Sequence, residues 1–137
     1  MNLQSMPFRI EGEEGCSIGS LAALLAEIAA RLERLSAGGK GSAIDLRALP
    51  FAPQEYEALR EHLGQGEVSV RIDAIGPSEI FETRYPGLWW VTHCNAEGDI
   101  TSDLLEITHI PEIIKSHPHD IKAGLASFRA QLDREMQ

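Results

Sequence analysis

The chain has 137 residues, of which 43% are hydrophobic and 24% charged, a composition that fits one globular domain with a core of its own. Its 21 acidic and 12 basic residues give a formal net charge of −9, which argues against nucleic-acid and anionic-membrane binders, since both need clustered Lys and Arg. Two cysteines rule out a disulfide framework, and residues 1–15 lack the basic start and apolar middle of a signal peptide, so we expect a soluble cytoplasmic protein.

The first predicted element is a helix that begins near Ser17, a suitable N-cap. Apolar residues recur along it at spacings of three and four: Leu21, Leu24, Leu25, Ile28, Leu32 and Leu35. Three glycines within residues 38–41 predict its end and a flexible connection. Residues 43–49 then predict a brief strand that ends at Pro50.

A second, shorter helix is predicted to begin at Pro53 and to end at Gly64. Its apolar stripe consists of Tyr56, Leu59 and Leu63. Four strand-like runs follow, at residues 67–75, 80–85, 88–95 and 100–110. Because their connections are short, neighbouring strands are expected to be antiparallel.

The last predicted element is a helix that begins near Pro118, after Pro111 has ended the final strand. One side of this helix is apolar and carries Ile121, Leu125, Phe128 and Leu132. These patterns predict an α+β fold with a mainly antiparallel sheet of four strands, or five if residues 43–49 join it. The N-terminal helix, the short second helix and the C-terminal helix are expected to pack on one face of that sheet.

The sheet region is acidic, with nine acidic and two basic residues between residues 67 and 112. An acidic sheet with an open face could steer a basic partner. A solvated antiparallel face is polar in any case, and this simpler interpretation is favoured.

The adjacent residues Trp89 and Trp90 are the most informative feature. Alternation along a strand sends one indole into the core and the other to the opposite face, near Glu82 and Leu104. An exposed Trp among acidic and aliphatic residues predicts a protein-binding hot spot, unless a helix or a second copy covers it. The predicted protein-binding residues are Trp89, Trp90, Glu82, Arg84, Leu104 and Glu106.

Glu82 has two other interpretations. The first is an ion pair, either across strands with Arg71 or with Arg84 on its own face. The second is a catalytic base in a small enzyme, which nothing in the sequence favours.

Other candidate chemistry is weaker. His93 and Cys94 point to opposite faces of a strand and cannot form a catalytic dyad with each other. Residues 38–42 lack the spacing of a phosphate-binding loop. We therefore predict no catalytic residue, no cofactor and no bound metal. The alternative is a metal-handling protein that delivers nickel or protects an iron–sulfur assembly step, and its candidate ligands are His93, Cys94, His109, His117 and His119.

Several segments together resemble one family. They are Leu49-Pro50, Leu-Gly-Gln-Gly-Glu-Val-Ser at residues 63–69, Glu82-Thr83, Pro-Gly-Leu-Trp-Trp-Val at 86–91, and Ile-Thr-His-Ile-Pro-Glu at 107–112. They resemble the conserved C-terminal region of the HupH/HyaF hydrogenase expression proteins. The resemblance covers residues 46–137 and leaves residues 1–45 as an N-terminal helix and linker.

The resemblance implies a non-catalytic, chaperone-like accessory factor for the maturation of [NiFe] uptake hydrogenases. Such a factor acts in the cytoplasm and binds a hydrogenase subunit precursor or another accessory protein. Members of the family are typically longer than this chain, which resembles a short version with one copy of the region. A single copy predicts pairing with itself as a homodimer.

Overall fold

The protein is described by a computed structural model that covers the backbone of residues 12–137 and the side chains of residues 20–137. Its helices are α1 (Gly12–Ser36), α2 (Pro53–Leu63) and α3 (Pro118–Glu135). Its strands are β1 (Ser42–Asp45), β2 (Ser69–Ile72), β3 (Ser78–Glu82), β4 (Leu88–Cys94) and β5 (Ile100–Ile107). Short 3₁₀ turns occupy Leu46–Ala48 and Glu112–Ile114.

The start of the first helix differs from the sequence prediction. Because α1 already begins at Gly12, Ser17 lies within the helix and is not its N-cap. Residues 1–11 and the side chain of Cys16, one of the two cysteines, lie outside the described residues. No helix in the described part of the chain is long and apolar enough to cross a membrane.

The five strands form one antiparallel sheet in the order β1-β5-β4-β3-β2. Strands β2 to β5 are consecutive neighbours because the turns between them are short, which confirms the predicted meander. The fifth strand, β1, lies beside β5 at the edge of the sheet. The α+β class and the antiparallel sheet are therefore confirmed.

The larger part of the core lies between one face of the sheet and the helices α1 and α2. These amphipathic helices bury their apolar stripes against β1, β4 and β5. The buried residues of this cluster are Leu24, Ile28, Leu35, Ile44, Leu46, Leu59, Leu63, Leu88, Trp90, Leu105 and Ile107.

A smaller apolar cluster lies on the opposite face of the sheet, here called the outer face. Its buried members are Ile80, Trp89 and Val91. Partly buried apolar side chains surround them: Val70, Ile72, Leu104 and Ile114. The last of these comes from the 3₁₀ turn that follows β5, so the chain itself covers part of this face.

The C-terminal helix is the element whose packing differs from the prediction. Every residue of α3 is exposed, so the helix does not pack on a face of the sheet. The amphipathic spacing identified the apolar side of α3 correctly. Periodicity specifies which side of a helix is apolar but not which surface will cover it.

Candidate protein-binding site

The register of the sheet brings three of the predicted residues into one row across the outer face. Glu82 of β3 is opposite Trp89 of β4, and Trp89 is in turn opposite Glu106 of β5. Residues directly opposite each other carry their side chains on the same face, about 5 Å apart. Leu104 is opposite Val91 and therefore lies two residues farther along the same face.

The two tryptophans lie on opposite faces, as alternation predicted, but neither is exposed. Trp89 is 5% exposed and Trp90 is 1% exposed. The Trp89 indole Nε1 donates to the Thr108 carbonyl oxygen at 3.1 Å, and Ile114 packs against the same cluster. The expectation of a solvent-facing Trp is therefore wrong, because the segment after β5 returns across the outer face.

Trp90 belongs to a buried polar network on the helix side of the sheet. The carboxylate of Asp103 accepts hydrogen bonds from Trp90 Nε1 and Thr92 Oγ1, both at 2.8 Å, and from the Tyr56 hydroxyl. Burial of the phenol raises the pKa of Tyr56 to about 12, and the hydrogen bond to Asp103 and the negative charge of Asp103 act in the same direction. The network connects α2 to β4 and β5, which makes Trp90 a structural residue here.

Arg84 does not share the outer face with Glu82. Strand β3 ends at Glu82, and the Arg84 amide then donates to the carbonyl oxygen of Leu63 at 2.9 Å. The guanidinium accordingly lies against Gly64 at the end of α2, where a Cβ would collide with it. The predicted grouping of Arg84 with the outer-face residues is thus not observed.

The ion pair expected for Glu82 is not formed either. Arg71 pairs instead with Asp73 at 2.7 Å and with Glu79, its cross-strand neighbour, at 2.6 Å. The Glu82 carboxylate accepts a hydrogen bond of 3.3 Å from the backbone amide of Gly87. Glu82 therefore helps to fix the turn between β3 and β4.

Glu106 occupies an unfavourable site for a charged carboxylate. Its pKa is raised chiefly by partial burial; His93 opposes this shift, and the negative charge of Glu112 reinforces it. His93 Nδ1 is hydrogen bonded to Ser78 Oγ at 2.7 Å. A cationic group from a partner would relieve the electrostatic cost of the Glu106 charge.

Two clefts flank the row of Glu82, Trp89 and Glu106. The first, of about 460 Å³, is lined by Leu32, Leu35, Ser36, Glu82, Pro86, Gly87 and His109. The second, of about 510 Å³, is lined by Lys40, Gly41, Ser42, Ala43, Glu106, Thr108 and Glu112. The segments at 82–91 and 107–112, distant in sequence, thus meet around one site.

Sequence reasoning missed the outer-face contributions of β2 and of the turn after β5. Val70 and Ile72 alternate with polar residues, and this signal could have placed both on the face of Trp89. Ile114 carries no such signal, because only the tertiary path of the chain brings it there. We call the partly buried group of Val70, Ile72, Leu104 and Ile114 the outer patch.

The structure does not assemble the predicted metal-ligand candidates. Among the side chains from residue 20 onward, no group of three or more His, Cys, Asp or Glu residues could hold a metal ion. His117 Nδ1 accepts a hydrogen bond from the backbone amide of His119 at 3.1 Å, so it caps α3. The imidazoles of these two residues stack with ring centroids 5.5 Å apart.

Comparison with known families identifies the chain. Residues 20–134 match the family described as "HupH hydrogenase expression protein, C-terminal conserved region". The chain belongs to this family. The match begins at residue 20 and so includes most of α1, which the resemblance in the sequence did not reach.

Relatives and a solved structure agree with this assignment. The hydrogenase expression/formation protein HoxQ of Azotobacter vinelandii is 35% identical over 87 residues, which are 64% of this chain and 31% of the relative. HupH of Rhodobacter capsulatus is 27% identical over 96 residues, 70% of this chain and 35% of the relative. The chain thus spans about a third of the length of these curated relatives.

The structural match is more complete. The solved structure of the hydrogenase expression protein HupH from Thiobacillus denitrificans ATCC 25259 superimposes with a TM-score of 0.81 at 41% sequence identity. The match covers 85% of this chain and 97% of the other. The two proteins therefore share the fold over nearly the whole of the solved chain.

Proposed function

We propose that this protein is a non-catalytic, chaperone-like factor that acts in the cytoplasm on immature [NiFe] hydrogenase. It binds a hydrogenase subunit precursor, or another accessory protein of the maturation machinery, through the outer face of its sheet. Membership of the hydrogenase expression protein family carries the proposal. The relatives' names link that family to hydrogenase formation.

The outer patch is the surface that supports this binding role. It combines partly buried apolar side chains with acidic neighbours, Glu82, Glu106 and Glu112, which fits an apolar centre with a polar rim. Trp89 forms a rigid base beneath the contact and does not itself reach the partner. The raised pKa of Glu106 favours a client with a basic group at the rim.

Co-purification with individual hydrogenase subunits tests the proposal. Each subunit would be expressed separately, in precursor and in mature form, and captured at moderate salt on this protein as bait. Retention of one precursor but not of its mature form is expected. Failure to retain any precursor or any purified maturation protein would contradict the proposal.

Substitution in the outer patch tests which surface is used. Leu104→Ala removes a central apolar contact and is expected to weaken client binding about tenfold. Leu49→Ala, at a partly buried leucine on the helix side, is the matched control and should leave binding unchanged. Equal binding by both variants would show that the outer face is not the client site.

The acidic rim has a separate test. Glu112→Lys should slow association with the client and reduce the salt dependence of the association rate, since rim charges act mainly on encounter. Glu57→Lys makes the same charge change on the exposed side of α2 and is the control. If both variants slow association equally, net charge and not the rim determines the rate.

A further inference from the structure

The outermost strand β2 has one edge that no other described part of the chain pairs with. It is the last strand in the sheet order and is hydrogen bonded to β3 on its other side. In an antiparallel pair, alternate residues of a strand bond to the neighbouring strand, and the residues between them direct their amide and carbonyl groups away from it. Half of the backbone groups of β2 therefore face outward.

The hydrogen bonds of the sheet show which residues these are. The Glu82 amide donates to the Val68 carbonyl oxygen at 2.9 Å, so Val68 and every second residue after it bond to β3. The amides and carbonyls of Ser69 and Arg71 consequently point to the open edge. Both residues are exposed, and none of the described residues bonds to these outward groups.

The opposite edge of the sheet is occupied by groups of the chain itself. At β1, the Arg31 guanidinium donates to the Ala43 carbonyl oxygen at 3.0 Å. The chain then turns into a 3₁₀ helix directly after Asp45. Proteins protect sheet edges in such ways because an open edge pairs readily with a further strand. The edge of β2 is therefore the one that can accept another strand.

A strand added to β2 would continue the outer patch, to which Val70 and Ile72 belong. Because Val70 bonds inward to β3, it would form a non-hydrogen-bonded pair with the added strand. Side chains approach each other most closely in pairs of this kind, with Cα atoms about 4.5 Å apart. Apolar side chains of the added strand would thus pack against Val70 and Ile72.

The other side of β2 favours basic residues in the added strand. The Arg71 guanidinium lies between two carboxylates, Asp73 at 2.7 Å and Glu79 at 2.6 Å, and the exposed Glu67 precedes the strand. Negative charge is therefore in excess at this edge. A second copy of the chain would bring the same acidic residues and a net charge of −9, so a basic segment is the better electrostatic match.

From these observations, we propose that the client binds as an extended segment that adds a strand to the sheet beside β2. The segment alternates apolar residues, which face the outer patch, with basic residues, which face Asp73 and Glu79. Its backbone bonds to the outward groups of Ser69 and Arg71, the recognition mode known as β-strand addition. This inference rests on the proposed function and specifies the form in which the client is recognised.

A proline at the open edge tests the inference. Ser69→Pro removes one outward N–H and breaks no hydrogen bond within the sheet, so the fold should tolerate it. The variant should bind the precursor retained by the wild type about tenfold more weakly. Ser69→Ala keeps the N–H and is the matched control.

The outcomes separate this inference from the proposed function. Equal binding of the precursor by Ser69→Pro and Ser69→Ala, at unchanged Tm, would exclude strand addition while client binding stands. A wild-type chain that retains no precursor and no purified maturation protein would contradict the proposed function, and the inference would fall with it.

Residue-resolved amide hydrogen exchange of the unsubstituted full chain decides the question even if Ser69→Pro unfolds. Binding of the precursor should slow exchange at the Ser69 and Arg71 amides about tenfold and leave the Ala43 amide in β1 unchanged. Unchanged exchange at Ser69 and Arg71 in the complex would overturn the proposal. So would protection of both amides in the free chain together with a dimeric mass, because a second copy would then be the occupant of the edge.

Discussion

Tyr56→Phe is the most direct test of the buried network that fixes α2 on the sheet. The substitution removes the phenolic hydroxyl and keeps the ring, which packs edge-on against Trp90 with centroids 5.5 Å apart. Asp103, which is 3% exposed, then loses one donor and retains those of Trp90 and Thr92. The Asp103 carboxylate therefore keeps two of its three side-chain hydrogen bonds and is not left without partners.

The expected loss of stability follows from the charge on that acceptor. Hydrogen bonds to charged groups contribute about 1.5–3 kcal/mol, so we expect Tyr56→Phe to lower the free energy of unfolding by about 2 kcal/mol. For a chain of this length, that change lowers Tm by roughly 6–10 °C. A similar loss at the exposed Tyr85 is not expected, and Tyr85→Phe should stay within about 0.5 kcal/mol of the wild type.

The pH dependence of this loss provides a second readout. Because the pKa of Tyr56 is raised to about 12 in the folded state, the unfolded chain loses this proton first, near pH 10. The stabilisation by the hydroxyl is fully present below pH 10 and is lost as the pH rises toward 12. The difference between the wild type and Tyr56→Phe should shrink over that interval.

Urea unfolding followed by tryptophan fluorescence would measure both effects, since Trp90 lies within the network. Measurements at pH 7 give the size of the loss, and a series from pH 9 to pH 12 gives its titration. A Tyr56→Phe variant as stable as Tyr85→Phe at pH 7 would refute the reasoning. So would a difference that stays constant across the alkaline series.

Two further substitutions probe the outer face and the turn beside it. Glu106→Gln should raise the free energy of unfolding at pH 7, because burial makes the charged form costly. This gain should shrink as the pH falls and should vanish well below 4.5, where the carboxyl is protonated in both the folded and the unfolded state. Urea unfolding over a pH series measures this trend, and Glu97→Gln, the same substitution at an exposed site, is the control for the loss of one carboxylate. Gly76→Ala should lower Tm well below that of Gly98→Ala. Both glycines have positive φ, but only at Gly76 would the new Cβ collide with the Cys94 carbonyl. Equal Tm values for the two alanine variants would show that backbone conformation alone sets the cost.

Local patterns in the sequence determined most of the secondary structure. Pro53 and Gly64 bracket α2, and the alternating runs separated by short turns produced the meander of β2 to β5. These signals are local, since cap chemistry and side-chain periodicity act over a few residues. The motifs at residues 63–69, 82–91 and 107–112 likewise identified the family, because each is a short run of residues that can be read directly in the sequence.

Tertiary structure decided which surfaces are covered. Alternation placed Trp89 and Trp90 on opposite faces, but the chain after β5 returns over the outer face and buries Trp89, a long-range event with no periodic signal. Arg84 left the face of Glu82 because β3 ends at Glu82 itself. Conversely, α3 has an apolar side that nothing in the described chain covers. A sequence pattern specifies that a side chain gains by burial, whereas the path of the whole chain determines what is available to bury it.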